Sequence, residues 1–194
     1  MMNNNAVLLT GAVVIDESGE RQLDIRLRDG VIAEVGEALV AGDEEHLDVS
    51  GCLLAPGFVD LHTHLREPGM PEAETIETGS RAAALGGYTA VVAMPNTDPT
   101  QDCVEVVELV AKRGREVGLC DVRPSGSITI GRAGHQLTPF AHLAAVGVRL
   151  FTDDGSGVQD EGLMRRAPEY AGELGVVLAQ HCEVASLPAG AVMP

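Results

Sequence analysis

Basic residues are scarce in this chain: 13 Lys and Arg stand against 29 Asp and Glu, a formal net charge of −16 at pH 7. Nucleic acid presents phosphates that demand a basic surface, so the balance argues against such a partner and equally against an anionic membrane. No apolar run approaches the ~20 residues of a membrane-spanning helix. The start, Met1-Met2-Asn3-Asn4-Asn5, has neither the basic region nor the apolar segment of a secretion signal, and a soluble, cytoplasmic protein is expected. Cysteine is sparse too. Cys52, Cys103, Cys120 and Cys182 show no C-x-x-C spacing, and without a secretory context they are expected to be free, buried thiols. Lysine occurs once, as Lys112, and no repeat or low-complexity tract is present. What remains is ordinary: 45% hydrophobic residues suffice for a sizeable core, and 194 residues suit one domain or one and part of another.

The most informative stretch is Ala55-Pro-Gly-Phe-Val-Asp-Leu-His-Thr-His-Leu-Arg-Glu-Pro-Gly69. Its apolar run, Phe58 to Leu61, reads as a buried strand bounded by Pro56-Gly57 and Pro68-Gly69. Side chains two apart on a strand share a face, so His62 and His64 should point at one place. Imidazole is a favoured ligand for zinc and related ions. Arg66 continues the parity and adds a fork-shaped cation suited to a carboxylate. H-x-H alone is satisfied about as well by two polar residues with no ion. The order strand, H-x-H, Arg, Pro-Gly is more specific.

Before this stretch, residues 6–54 read as short strands and turns. Val7 to Leu9 and Ala12 to Ile15 are apolar, and Leu23, Ile25 and Leu27 alternate with charged residues. Asp29-Gly30 signals a hairpin. After it, helix and strand alternate, which implies parallel β/α units. Ile76 to Leu85 predicts a helix ended by Gly86-Gly87, and Tyr88 to Met94 a buried strand. Asp102 and Glu105 resemble a capping box before the next helix. The third strand falls within 121–130, around Val122 or around Ser127-Ile128. Thr138 is expected to cap a short helix with Pro139 in its first turn. Gly147 to Phe151 is a fourth strand, 162–174 a helix kinked at Pro168, and Val176 to Gln180 a fifth strand.

His62, His64, Asn96, Asp154 and His181 all fall at or just beyond carboxyl ends of predicted strands, where a parallel β/α barrel builds its active site. Each alone is unremarkable. Five placed by one rule are not easily assigned to chance. His46, His135 and His142 sit in loop or helix contexts and carry no such signal. Cys182, next to His181, should face the opposite way, into the core.

Pro56 to Gly69 resembles the first barrel strand of the amidohydrolase superfamily, and of the dihydroorotase family in particular. Met94-Pro-Asn-Thr97, Phe151-Thr-Asp-Asp-Gly155 and His181-Cys-Glu183 extend the resemblance over residues 6–190. It implies an incomplete TIM-type (β/α)8 barrel of about five strands, at 57–194, preceded by a small β-domain at 1–56. It implies that His62 and His64 bind one metal, that His181 binds a second, and that an Asp bridges them. Asp154 stands 27 residues before His181, the separation the family implies for the bridge. Arg66 and Asn96, with His64, would contact the substrate, dihydroorotate or N-carbamoyl-L-aspartate; the cofactor would be zinc, two ions per complete chain.

Many relatives, hydantoinases among them, bridge their metals with a carbamylated lysine. Lys112 lies in a predicted helix away from the site, so the chain is most similar to the bacterial, long-chain type with an Asp bridge. A non-catalytic partner of aspartate carbamoyltransferase is a further reading of the resemblance, as is a hydantoinase- or allantoinase-type cyclic amidase. The assembly it implies is a homodimer or an association with the carbamoyltransferase. The family's remaining His ligand and its catalytic Asp would lie beyond Pro194. Residues 1–194 alone are therefore expected to be inactive, with open strand edges and exposed apolar surface, and to be insoluble, molten or oligomeric.

Overall fold

A computed structural model describes residues 6–184 and 186. Met1 to Asn5, read above for a secretion signal, and the end of the expected barrel segment at 187–194 lie outside the described residues. The chain divides into two units, Met1–Pro56 and Gly57–Pro194.

The first unit is a five-stranded sheet. β1 (Ala6–Asp16) pairs antiparallel with β2 (Gly19–Arg28), and β2 with β3 (Val31–Gly36); β4 (Glu45–Asp48) and β5 (Leu53–Leu54) both run parallel to β1. The two apolar runs read as separate pieces are one strand interrupted by a register shift between Leu9 and Ala12. Gly11 sits there at φ +80°, its N–H bonded to the Asp24 carboxylate at 3.0 Å. The predicted hairpin forms: Asp29 and Gly30 both have positive φ (51° and 79°), the twist that tight two-residue turns require. Ala12, Val14 and Ile25 form a small buried core between the partly buried Leu23, Leu27 and Leu54.

The second unit alternates strand and helix: β6 (Phe58–Thr63), α1 (Ile76–Leu85), β7 (Tyr88–Ala93), α2 (Val104–Val117), β8 (Asp121–Pro124), α3 (Phe140–Ala145), β9 (Leu150–Phe151), α4 (Glu161–Leu174) and β10 (Val177–Leu178). β6, β7 and β8 pair in that order, all parallel, and β9 pairs parallel with β10. The two sheets join through Gly126, whose N–H bonds Leu150 O and whose carbonyl accepts from Thr152 N, both at 2.9 Å. The architecture is α/β with the barrel only partly present. None of the described helices is long and apolar enough to cross a membrane.

Local chemistry explains most boundaries. Thr75 caps α1 by accepting from Thr78 N at 3.1 Å, while Thr75 N donates to Thr78 Oγ1 at 3.0 Å. Asp160 caps α4 by accepting from Leu163 N at 2.7 Å, and Gly118 and Gly175 end α2 and α4 in the left-handed region. Two predicted caps are used elsewhere. α2 begins after Cys103 with no side-chain cap, because Asp102 accepts from Gly131 N at 2.8 Å instead. Thr138 donates to Ser127 O at 2.6 Å, and Pro139 occupies the cap position of α3. In both cases a contact distant in sequence outcompetes the local one. α4 runs unbroken through Pro168.

The main core lies under the joined sheets: Val107, Ile128, Leu143, Val148, Phe151, Leu163 and Ala167, with Phe140 and Phe151 stacked at 4.3 Å. That stacking adds about 0.5–1.5 kcal/mol beyond area burial. A second cluster, Leu65, Ile76, Val91, Val110 and Val122, seats α1 and α2 on β7 and β8.

Two expectations about burial are corrected. Phe58, Val59 and Leu61 are 57–64% exposed, not buried, because β6 pairs only with β7 among the described residues. Apolar composition marks a surface for covering without saying what covers it. The four cysteines are free, but Cys52 and Cys182 are exposed and Cys103 and Cys120 half-buried. Cys182 does not face the core because the extended segment after Leu178 is no longer strand; its Sγ lies 3.5 Å from Gln180 O.

Two glycines make the packing testable by urea denaturation. A Cβ at Gly126 would stand 2.7 Å from the Phe151 ring and 3.1 Å from Leu143, so Gly126→Ala should destabilise by about 1–3 kcal/mol. A Cβ at Gly172, on the exposed side of α4, would meet nothing within 4 Å, and Gly172→Ala should stabilise by about 0.5–1 kcal/mol. Equal effects at the two sites would contradict this packing.

Candidate metal centre

The site is built where the strands of the second unit end. His62 is the fifth residue of β6, and His64 follows just beyond its last residue, Thr63. The alternation expected of a strand holds between them: their rings approach edge-on with centroids 5.2 Å apart. Parity does not extend to Arg66, however. The strand has ended, and Arg66 adopts φ +57°, so its position is set by a turn, with Met70 N bonded to Arg66 O at 2.9 Å. Its half-buried guanidinium makes no hydrogen bond or ion pair among the described residues.

The loops after β6 and β7 are fastened together. Met94 N bonds Thr63 O at 2.8 Å and Asp98 N bonds Pro68 O at 3.1 Å. Gly69, at φ +117°, brings its backbone so close to Asp98 that a Cβ would stand 2.7 Å from the Asp98 nitrogen. This zipper sets Asn96 beside His64, with Nδ1 of the ring 3.1 Å from Asn96 Oδ1.

Asp154 arrives from the other sheet, on the loop after β9. Its Oδ1 is 3.2 Å from His62 Nε2, and its Oδ2 is 3.6 Å from His64 Nε2 and accepts from Asn96 Nδ2 at 3.0 Å. His62, His64 and Asp154 thus place one ligand atom each within 4.8 Å of one another. Asp154 is buried, His64 half-buried and His62 exposed, so the group opens to solvent on the His62 side. Neighbouring Asp153 is differently employed: 1% exposed, its carboxylate accepts from Thr129 N at 3.0 Å and from the Thr129 hydroxyl.

His181 does not join this group. It follows β10 on an irregular segment, and its Nε2 pairs with Glu183 Oε2 at 3.0 Å beside the loop Gly155 to Gln159. Of the residues predicted from sequence, then, His62, His64, Asn96 and Asp154 meet, while Arg66 makes no hydrogen bond or ion pair with them and His181 pairs with Glu183 instead. Sequence reading passed over Thr129 and Arg132, which grip the loop bearing Asp154; Arg132 Nη2 donates to Asp154 O at 2.8 Å and to Ser156 Oγ at 2.9 Å. Neither has a motif of its own. The available signal was the run of glycines around Arg132, Gly131 and Gly134, which marks a tightly turned loop.

Two imidazoles and a carboxylate are a donor set that zinc accepts. Ligands of one tetrahedral ion bound at about 2.0–2.1 Å lie about 3.4 Å apart. Each of the three residues offers one ligand atom within 4.8 Å of the others, and Asp154 turns Oδ1 to His62 and Oδ2 to His64, so the donor set suits a divalent ion.

A family model described as dihydro-orotase-like matches residues 51–193. The chain is 52% identical over 190 residues to a dihydroorotase of Mycobacterium tuberculosis, covering 96% of this chain and 44% of the relative. It is 41% identical over 188 residues to a dihydroorotase of Aquifex aeolicus, with the same coverage. It therefore spans less than half the length of these relatives. Among solved structures, L-hydantoinase (dihydropyrimidinase) from Arthrobacter aurescens superposes with a TM-score of 0.78 over 92% of this chain and 41% of that one, at 19% identity, a likeness of fold alone. On the family match, the chain belongs to the dihydro-orotase-like family.

Proposed function

We propose that the chain supplies the first five barrel strands, with the four helices between them, of a metal-dependent cyclic amide hydrolase, a cytoplasmic dihydroorotase of pyrimidine synthesis. The reaction is the reversible ring closure of N-carbamoyl-L-aspartate to dihydroorotate with release of water. The observation that carries this reading is the convergence of His62, His64 and Asp154 within 4.8 Å, in a chain whose family is dihydro-orotase-like.

In this reading His62 and His64 would hold one zinc ion, His181 would serve a second, and Asp154 would be the carboxylate shared between them. A bound divalent ion would bring the pKa of water towards neutrality and polarise the amide carbonyl. The remaining tasks fall to side chains. Asn96 fixes the His64 ring through Nδ1, which leaves Nε2 as the ligating nitrogen. Arg66, with no partner among the described residues, would offer its fork to a substrate carboxylate, with Asn96 and His64 as further substrate contacts. A local cation matters more to an anionic substrate than the overall charge of −16, since salt screens charges beyond about 8–10 Å.

A hydantoinase-type reading shares the fold but lacks its lysine. The chain's single lysine, Lys112, lies on α2 with Nζ 3.8 Å from Glu116, which supports a carboxylate bridge.

Two measurements on a full-length protein carrying this chain test the proposal. About two divalent ions per chain are expected, and His62→Ala should lose metal and slow turnover at least about 10²-fold, as loss of several kcal/mol of Lewis-acid stabilisation requires. Unchanged activity in a metal-stripped His62→Ala protein would refute the metal reading. Arg66→Lys should lower kcat/KM for dihydroorotate about tenfold, because a point charge cannot replace a bidentate fork, while metal content stays constant. Loss of metal in Arg66→Lys would instead make Arg66 a structural residue.

A further inference from the structure

Asp154 is the one member of the cluster that comes from the far sheet, so its carboxylate reaches the histidines only if its loop is held. β9 contributes just two residues, Leu150 and Phe151, before the chain leaves for Thr152-Asp-Asp-Gly155. Gly155 and Gly157 both have positive φ, at 77° and 24°, so this loop turns sharply and has little regular structure of its own.

The restraint comes from the segment after β8. Thr129 takes the carboxylate of Asp153 with its N–H and hydroxyl. Three residues on, Arg132 places one guanidinium nitrogen on the Asp154 carbonyl at 2.8 Å and on Ser156 Oγ at 2.9 Å. The loop bearing Asp154 is thus gripped at two successive residues: through the side chain of Asp153 and through the carbonyl of Asp154. The gripping segment is itself fixed. Gly131 N bonds the Asp102 carboxylate at 2.8 Å, Arg132 N bonds Thr129 O at 2.9 Å, and Gly134 N bonds Thr129 Oγ1 at 2.9 Å.

Arg132 occupies this place against two local preferences. Its φ is +55°, a left-handed conformation that a side chain with Cβ disfavours and glycine would adopt freely. Its Nε is buried with no hydrogen-bond partner among the described residues. Backbone in sparsely populated regions persists where surrounding contacts over-determine it, and such positions cluster at functional sites. The contact obtained here is with the backbone of Asp154, and outer contacts of this kind set the orientation of a metal ligand.

We infer that Arg132 is a positioning residue for the metal centre: its guanidinium holds the Asp154 carbonyl so that the carboxylate of Asp154 faces His62 and His64. The inference rests on the metal-centre reading of those three residues. It assigns Arg132 no contact with substrate or metal.

The test uses a full-length protein carrying this chain, with zinc affinity measured by chelator competition and stability by urea denaturation. Arg132→Gly keeps the left-handed backbone and deletes the guanidinium. It should weaken zinc binding by about 10–100-fold, the usual consequence of removing a contact that orients a ligand, with the urea midpoint of the apo-protein little changed, because relief of the left-handed strain offsets the lost hydrogen bonds. Arg132→Lys, which keeps a charged donor, should recover part of that affinity. Parental zinc affinity in Arg132→Gly would overturn the inference, as would an affinity loss that only tracks a fall in the apo-protein urea midpoint. His62→Ala separates the two claims. If His62→Ala also binds zinc like the parent, the metal-centre reading fails; if it loses zinc while Arg132→Gly does not, only the role of Arg132 fails.

Discussion

A single carboxylate ties the second unit of this chain together. Asp154 is 7% exposed, and burying a charge is costly unless other groups answer it. Here the carboxylate is answered from two β/α units, His62 and His64 after the first strand and Asn96 after the second, while Arg132 after the third holds the Asp154 carbonyl. None of these contacts is local in sequence; Asn96 and Asp154 are 58 residues apart. The strands bring the groups together at their carboxyl ends, and Asp154 gives them a common target. Removing one partner leaves the others facing a less satisfied buried charge, so the cluster behaves as a unit rather than as separable pairs.

The parallel sheet is what makes that convergence possible. Gly126 carries the pairing from β8 across to β9, and its lack of a side chain lets the Phe151 ring approach. Phe151 is fully buried and stacked on Phe140, so the start of the Asp154 loop is anchored by the largest side chain of the core. Packing below and polar contacts above thus fix the same few residues. The edge strand β6 is less enclosed, and its three exposed apolar residues sit immediately before the histidines.

Much of this was legible in the sequence, and the exceptions have physical causes. α1 was readable because its stop signal, Gly86-Gly87, is local, although its Thr75 cap was not singled out. Five strands with polar residues at their carboxyl ends were readable because parallel β/α units obey one placement rule. Caps at Asp102 and Thr138 were misassigned because those side chains are drawn to Gly131 and Ser127, neither of which local pattern can reveal. Burial of Phe58 to Leu61 was misjudged because hydrophobicity does not identify a neighbour. Parity failed at Arg66 because the strand stops at Thr63, which alternation cannot foresee. Arg132 was invisible because its role runs through a carbonyl oxygen, a group that every residue has.

The central claim is that His62, His64 and Asp154 form a metal centre rather than a set of histidine–carboxylate pairs. X-ray diffraction at the zinc absorption edge, on zinc-loaded crystals of a full-length protein carrying this chain, addresses it without relying on catalysis. An anomalous peak is expected about 2.0–2.2 Å from a nitrogen of His62, a nitrogen of His64 and an oxygen of Asp154. Zinc-loaded crystals with no anomalous density between these three residues, and with the histidine–carboxylate contacts intact, would contradict it.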